Sequence, residues 1–173
     1  MWYKNVRAQN VLILLFSLIG LASTFYFVNI KLELNDEETH QIQITVFSNI
    51  FKYITDHPEE DPDYFFISVS SYDPSPEILT DFDDHLPLIE SVSSSEMTFG
   101  FSSHVSHKTD RNKRGIIVDL EVKNKQSNGN VQVLASLYRS RERAATYEYI
   151  LNENEGTYRI ISFKGSERSK FLD

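Results

Sequence analysis

The stretch that decides the fold is RGIIVDLEVKNKQSNGNVQVLASLYRSRERAATYEYILNENEGTYRIISF, residues 114–163. Apolar and polar side chains alternate along it with a period of two, which is typical of strands with one buried face. Asn128-Gly129 and residues 152–156 carry turn signals between these strands. The stretch therefore predicts an antiparallel meander of four strands. One side of the first three strands is formed by Ile116, Val118, Leu120 and Val122; Val131, Val133, Ala135 and Leu137; and Ala145, Tyr147, Tyr149 and Leu151. In the fourth strand Tyr158, Ile160 and Ser162 alternate with Arg159, Ile161 and Phe163.

The segment before the meander, residues 36–56, has the spacing of an amphipathic helix. Its apolar side chains recur at i, i+3 and i+4, and three acidic residues would lie in the first turn, where the helix dipole favours them. The alternation of Ile42, Ile44 and Val46 leaves a strand at the front open, but we favour the helix.

The middle of the chain is harder to interpret. Residues 64–70 form a short apolar run that predicts a buried strand. A short helix is expected from Pro76 to Asp84, with Ser75 as its cap and Pro76 in its first position. Residues 91–112 are rich in Ser and His and predict a loop with one possible strand at 97–101.

The N-terminal segment contains an apolar run long enough to cross a bilayer. Residues 8–30 carry no charge, and a helix over 11–30 would span about 30 Å. Lys4 and Arg7 precede the run and acidic residues follow it, which favours an N-terminus in the cytoplasm. We expect a cytoplasmic segment at 1–10, a single-pass transmembrane signal anchor at 11–30 in contact with the lipid bilayer, and an extracytoplasmic domain at 36–173.

Two other interpretations of the apolar run stay open. A signal peptide cleaved at Gly20-Leu21-Ala22 would leave the domain secreted. A buried helix of a soluble domain is disfavoured because the run has no polar stripe.

Composition and charge limit the possible partners. The chain has no Cys, which excludes disulfides and thiolate metal sites, and its net charge of −8 argues against nucleic acid. Residues 32–96 hold 16 acidic side chains and one basic side chain, whereas residues 97–173 hold 13 basic and 9 acidic ones. We favour two halves that attract each other when packed; the alternative is an acidic surface that binds a cation or a basic partner.

The order of these elements resembles that of uncharacterised bacterial exported or membrane-anchored proteins with a nuclear-transport-factor-like (cystatin-like) α+β roll. The resemblance covers residues 37–168 and implies helices packed on a curved antiparallel sheet, with no catalytic residue to transfer. Those relatives have a Gly between the two Tyr-rich strands and a Trp in the last strand, where this chain has Arg143-Ala-Ala145 and Tyr158. The segments that carry the resemblance are 73–79 (DPSPEIL), Arg114-Gly115, 136–138 (SLY), 145–149 (ATYEY) and 155–161 (EGTYRII).

The candidate sites for metal chemistry are incomplete. His104, His107 and Asp110 could supply metal ligands, but they lie in an expected loop and lack a further ligand. The carboxylate clusters at 59–63 and 81–84 do not match a calcium-binding loop. We therefore assign no metal, no cofactor and no catalytic residue.

Two further groups of side chains have a functional and a structural interpretation. Tyr64, Tyr138, Tyr147 and Tyr149 could line the open end, or cone, of the roll, although packing is the favoured role. Arg139, Arg141 and Arg143 could bind an anionic ligand or pair with carboxylates, although a solvated strand end is favoured. We expect a membrane-tethered, non-catalytic module that binds an unknown protein or small ligand. The alternative is an acid–base enzyme with a Tyr/His/Asp site in the cone.

Overall fold

The computed structural model describes residues 33–56, 61–98, 103–140 and 143–169. This part of the chain contains eight strands, one long helix and one short helix, with a turn of 3-10 helix at Val92–Ser94. The elements in chain order are α1 (Asp36–Asp56), β1 (Tyr64–Val69), α2 (Pro76–Thr80), β2 (Leu88–Ser91), β3 (Ser95–Met97), β4 (Val105–His107), β5 (Arg114–Lys125), β6 (Asn130–Tyr138), β7 (Arg143–Asn154) and β8 (Thr157–Ser169).

The predicted meander is confirmed. Strands β5, β6, β7 and β8 follow one another in the sheet, and each is antiparallel to the next. Gly129 in the β5–β6 turn has a φ of 81°, a left-handed conformation that glycine adopts at little cost. The alternating apolar residues of β5, β6 and β7 lie in the main hydrophobic core.

The last strand departs from the predicted strict alternation by one residue. Leu151 pairs with Ile160 whereas Ile150 pairs with Ser162, so a β-bulge interrupts the ladder between them. The bulge brings Phe163 opposite Tyr149, with their ring centroids 4.9 Å apart. Phe163, and not Ser162, therefore continues the aromatic side of the sheet.

The predicted fold class, an α+β cystatin-like roll with helices on a curved antiparallel sheet, is wrong. Strand β1 is parallel to both of its neighbours, because Tyr64 is in register with Leu88 of β2 and with Gly115 of β5. Parallel neighbours need a crossover connection, and residues 70–87 with α2 provide it between β1 and β2. The domain is mainly a mixed eight-stranded sheet with few helices.

The region at 91–112, expected to be mostly loop, contains strands β3 and β4 and the last residue of β2. Of the predicted strand at 97–101, Met97 ends β3, and residues 99–101 lie outside the described residues. From β2 the chain passes to β3, which pairs with β4, and β4 in turn pairs with the start of β5. The imidazole of His107 in β4 lies 3.1 Å from the carboxylate of Glu90 in β2 and 6.0 Å from the ring of Phe66. These short strands therefore cover the face of β1 that α1 does not reach, and Phe66 there is fully buried.

Helix α1 is confirmed over the predicted range, and no strand forms at its front. Asn35 Oδ1 accepts a hydrogen bond from the Glu38 N–H at 2.8 Å, and Glu38 Oε2 accepts one from the Asn35 N–H at 3.0 Å. This reciprocal pair is a capping box that fixes the first turn. The ring of Phe51 stacks on Phe65 of β1 at 4.7 Å and meets the edge of Phe82 at 5.3 Å. The helix thus covers the core face of the sheet.

Helix α2 begins at Pro76 after Ser75, as predicted, but it is shorter. It ends at Thr80, and residues 81–84 form turns that bring Phe82 into the core. The side chain of Ser75 makes no capping hydrogen bond; its carbonyl accepts the Ile78 N–H at 3.1 Å instead.

The prediction of a single-pass membrane protein is contradicted. None of the helices in the described residues is both long and apolar enough to span a membrane. Helix α1 has 21 residues, but Asp36, Glu37 and Glu38 occupy its first turn and it buries one side only. The predicted anchor at 11–30 and the segment 1–10 lie outside the described residues, and the structure gives no support to the expected anchored localisation.

Candidate functional site

A groove lies between the N-terminal half of α1 and the chain that leaves β1. Its volume is about 650 Å³, which lies within the range of small-molecule and peptide-side-chain sites. We call it the acidic groove; its lining residues are Asp36, Glu37, Thr39, His40, Gln43, Val69, Asp73, Pro74, Ser75, Glu77 and Ile78.

A rigid turn after β1 shapes one wall of the acidic groove. Ser70 and Ser71 both have a positive φ, at 52° and 68°, and this conformation reverses the chain. Asp119 Oδ1 holds the turn by accepting hydrogen bonds from the Ser68 hydroxyl at 2.5 Å and from the Ser71 N–H at 2.8 Å. Asp73 is fixed in turn because its Oδ1 accepts the Ser93 N–H at 2.9 Å.

A histidine–aspartate contact joins the two walls. His40 Nε2 on α1 lies 2.8 Å from Asp81 Oδ2, just after α2. Beneath this contact Ile78 and Phe82 are buried against α1, where Phe82 meets Phe47 edge-on at 6.4 Å. The groove is therefore a fixed feature of the packing between α1 and α2.

The charge of the groove is strongly negative. Four carboxylates line it, those of Asp36, Glu37, Asp73 and Glu77, and none of them forms an ion pair within the described residues. A hydrogen bond from Ser75 holds the pKa of Glu77 below its ordinary value. Glu77 is therefore ionised at neutral pH, and the groove attracts cations.

One buried polar side chain faces this groove. Gln43 is 6% exposed and lines the cavity, yet its amide makes no hydrogen bond to any described residue. The amide lines the open groove, so a ligand there can supply the donor and acceptor that it lacks. Sequence analysis missed Gln43, although it stands at i−3 and i−4 from Val46 and Phe47 on the apolar stripe of α1.

The unequal halves of the chain do attract each other elsewhere. Lys113 Nζ lies 3.0 Å from Asp63, and Lys125 Nζ lies 2.9 Å from Glu38. Both contacts join a cation of the second half to a carboxylate of the first half. Ion pairs between the two halves thus compensate some of the acidic residues of 32–96. The carboxylates of the acidic groove are not compensated by ion pairs within the described residues.

The predicted metal candidates do not come together. His104 Nδ1 lies 3.0 Å from the Thr98 hydroxyl, His107 contacts Glu90, and Asp110 accepts the Asn112 N–H at 3.2 Å. The described part of the chain contains no group of three or more His, Asp or Glu residues that could hold a metal ion.

The two carboxylate clusters make different contacts, and neither forms a cation site within the described residues. In the cluster at 59–63, Asp63 binds Lys113 and the Arg114 N–H, whereas residues 59 and 60 lie outside the described residues. In the cluster at 81–84, Asp81 contacts His40, and the other two aspartates, at 83 and 84, are exposed.

The four candidate tyrosines lie on two faces of the sheet. Tyr147 and Tyr149 are buried on the core face, and burial raises the pKa of Tyr149. Tyr64 lies on the opposite face, 5.0 Å from the ring of His107, and Tyr138 is exposed. They therefore do not line a common mouth.

The arginine cluster is only partly described. Arg141 lies outside the described residues, whereas Arg139 and Arg143 line a second, smaller cavity together with Arg114. That cavity lies at the start of β5, away from the acidic groove.

Comparison with known proteins found no matching family model, no matching curated protein and no matching solved structure. The fold and the groove define the chain as a mainly β-sheet domain with a preformed, negatively charged surface cavity.

Proposed function

We propose that this domain is a non-catalytic binding module whose acidic groove takes a lysine- or arginine-bearing peptide segment of a protein partner. The observation that carries the proposal is the convergence of four carboxylates without an ion-pair partner, among the described residues, on one groove of about 650 Å³. Charges of one sign raise the rate of encounter with a partner of the opposite sign.

A peptide fits the groove better than a bare cation does. The Gln43 amide offers a donor and an acceptor, and an extended peptide backbone presents the complementary pair. Val69, Pro74 and Ile78 give the groove an apolar lining for the stems of long basic side chains. Side chains on one face of an extended peptide recur about every 7 Å, so two of them can reach carboxylates on both walls.

The alternative, an acid–base enzyme, has weaker support. The His40–Asp81 contact at 2.8 Å can orient an imidazole toward a ligand in the groove. The tyrosines expected to complete such a site lie elsewhere in the sheet, as described above.

Fluorescence anisotropy with a short labelled peptide of alternating Lys and Ala tests the proposal. We expect saturable binding that weakens as monovalent salt rises, and no binding of the same peptide with Gln in place of Lys. The double variant Glu37→Gln/Glu77→Gln should bind about 5- to 30-fold more weakly, because it removes two of the four carboxylates of the groove. The control Asp83→Asn/Glu155→Gln removes the same charge from exposed positions outside the groove and should bind like the wild type.

A third variant separates the groove from a general effect of charge. Gln43→Leu keeps the net charge and replaces the amide that lines the groove by an apolar group of similar size. It should weaken peptide binding about tenfold without loss of stability. Equal affinity in the groove variant and the charge-matched control, or tight binding of the Gln peptide, would contradict the proposal.

A further inference from the structure

A second cavity lies at the other end of β1 and β5, where the chain enters β4 and β5 and turns from β6 into β7. Its volume is about 120 Å³, and its polar lining residues are Ser103, His104, Arg114, Arg139, Ser140 and Arg143. We call it the arginine pocket.

Backbone hydrogen bonds fix the walls of the arginine pocket. The Val105 N–H donates to the Arg139 carbonyl at 3.3 Å, and the Arg139 N–H donates to the Arg143 carbonyl at 3.0 Å. The Arg143 N–H donates to Ser140 Oγ at 3.1 Å, and Ser140 is buried. The first residues of β4 and the two ends of the β6–β7 connection are therefore held together without a ligand.

Among the described residues that line the arginine pocket, three are arginines and none carries a carboxylate. Among the described residues, neither Arg114 nor Arg139 forms an ion pair, whereas the neighbouring Lys113 is paired with Asp63 and Arg111 with Glu96. Arg114 and Arg139 thus bring two like charges to one small cavity, and a bound anion relieves the repulsion between them.

Size and geometry restrict the anion. A volume of 120 Å³ equals that of about four water molecules in the liquid. A tetrahedral oxyanion has four oxygen atoms, and guanidinium groups bind two of its oxygens at once in parallel hydrogen bonds. Hydroxyl groups such as those of Ser103 and Ser140 are common further contacts to phosphate oxygens.

We propose that the arginine pocket binds one oxyanion of the phosphate class, either free or as the terminal group of a small phosphate monoester. The site is separate from the acidic groove. Gly115 lines the pocket, Val69 lines the groove, and Val69 pairs with Leu120 five residues along β5. At about 3.3 Å per residue the two sites are about 17 Å apart.

Calorimetric titration of the full chain with inorganic phosphate, at an ionic strength held constant with chloride, tests this site. We expect saturable binding by the wild type and by Arg159→Gln, an exposed arginine on β8 outside the pocket. Arg139→Gln and Arg114→Gln should each weaken binding about tenfold or more, because each removes a charge-assisted contact. The variants are compared only after their circular dichroism spectra match that of the wild type; Arg114, whose side chain is exposed, is the safer of the two positions.

A parallel titration with glycerol phosphate distinguishes the two sources of the anion. Tighter binding of the monoester than of inorganic phosphate assigns the pocket to a terminal phosphate group, and the reverse order assigns it to the free ion. Absence of saturable binding for both, or equal affinity in the wild type and both pocket variants, would overturn the proposal. Neither result bears on peptide binding at the acidic groove.

Discussion

Glu38 joins the start of α1 to the far end of the sheet, and its removal provides a quantitative test of the structure. Its carboxylate accepts the Asn35 N–H at 3.0 Å, the Lys125 ammonium at 2.9 Å and the Tyr158 hydroxyl at 2.7 Å. Glu38→Ala removes half of the capping box, an ion pair that is mostly buried, and the acceptor of a buried tyrosine. Because Lys125 keeps its contact with Glu153 at 2.6 Å, the loss is partial.

The expected cost follows from these three contacts. The capping bond contributes about 0.5–1 kcal/mol, the ion pair about 0.5–1 kcal/mol, and the orphaned Tyr158 hydroxyl about 1 kcal/mol. Their sum, about 2–3 kcal/mol, lowers the melting temperature by about 5–10 °C for a domain of this size. Glu37→Ala is the matched control because Glu37 is exposed in the same helical turn, and it should cost under about 0.5 kcal/mol.

The pH dependence identifies the carboxylate as the cause. Hydrogen bonds from Asn35, Lys125 and Tyr158 lower the pKa of Glu38 from 4.5 to about 2. A depressed pKa means that this contribution is fully present above the ordinary pKa and is lost as pH falls toward the folded value. Urea unfolding followed by circular dichroism should therefore show a difference between wild type and Glu38→Ala at neutral pH that shrinks below pH 4.5. A variant as stable as Glu37→Ala at neutral pH would refute the role given to Glu38.

Three further predictions concern the core and the surface charge. Phe51→Ala should cost about 3–5 kcal/mol in urea unfolding, because it leaves a cavity against Phe65, whereas Lys52→Ala should change stability by under about 0.5 kcal/mol; equal midpoints would place Phe51 outside the core. Gly115→Ala should cost about 1–3 kcal/mol, since its Cβ would lie 2.3 Å from Phe66 Cε2, and Phe66→Leu in the same chain should recover part of that loss. Monovalent salt should raise the melting temperature, because it screens the repulsion among the unpaired carboxylates of the acidic groove; a fall would show that the ion pairs between the two halves dominate.

The sequence contains enough information to predict the meander and α1. The alternation along β5, β6 and β7 predicts which face of the sheet is buried. The spacing of Val46, Phe47, Ile50 and Phe51 predicts which face of α1 packs on the core. The alternation does not predict the bulge in β8. Ile160 and Ile161 are both apolar, so either of them can face the core, and the pattern fits both registers of β8 on β7. The capping box has a sequence signature as well, since Asn35 is followed three residues later by Glu38.

Parallel pairing and the short strands could not be predicted for a physical reason. An apolar run such as 64–69 indicates that a strand is buried on both faces. It does not indicate whether the neighbouring strands run parallel or antiparallel to it, because that depends on the crossover through residues 70–87. Strands β2, β3 and β4 are short and polar, and contacts between distant side chains such as Glu90 and His107 help hold them. The excess of acidic residues in 32–96 indicates an acidic surface from the sequence alone. The position of the groove cannot be predicted in this way, because it depends on the turn after β1, which Asp119 of β5 holds by hydrogen bonds.

The two proposed sites carry opposite charge on one small domain, so their mutual influence decides whether they can be tested separately. At about 17 Å, two unit charges in water interact by about 0.2 kcal/mol. At physiological ionic strength the Debye length is about 8 Å, which reduces that interaction further. Occupation of the acidic groove therefore leaves the arginine pocket nearly unchanged, and the converse holds because such coupling is reciprocal. Salt weakens both kinds of binding and cannot distinguish them, whereas single substitutions in either site alter one ligand and leave the other as a control.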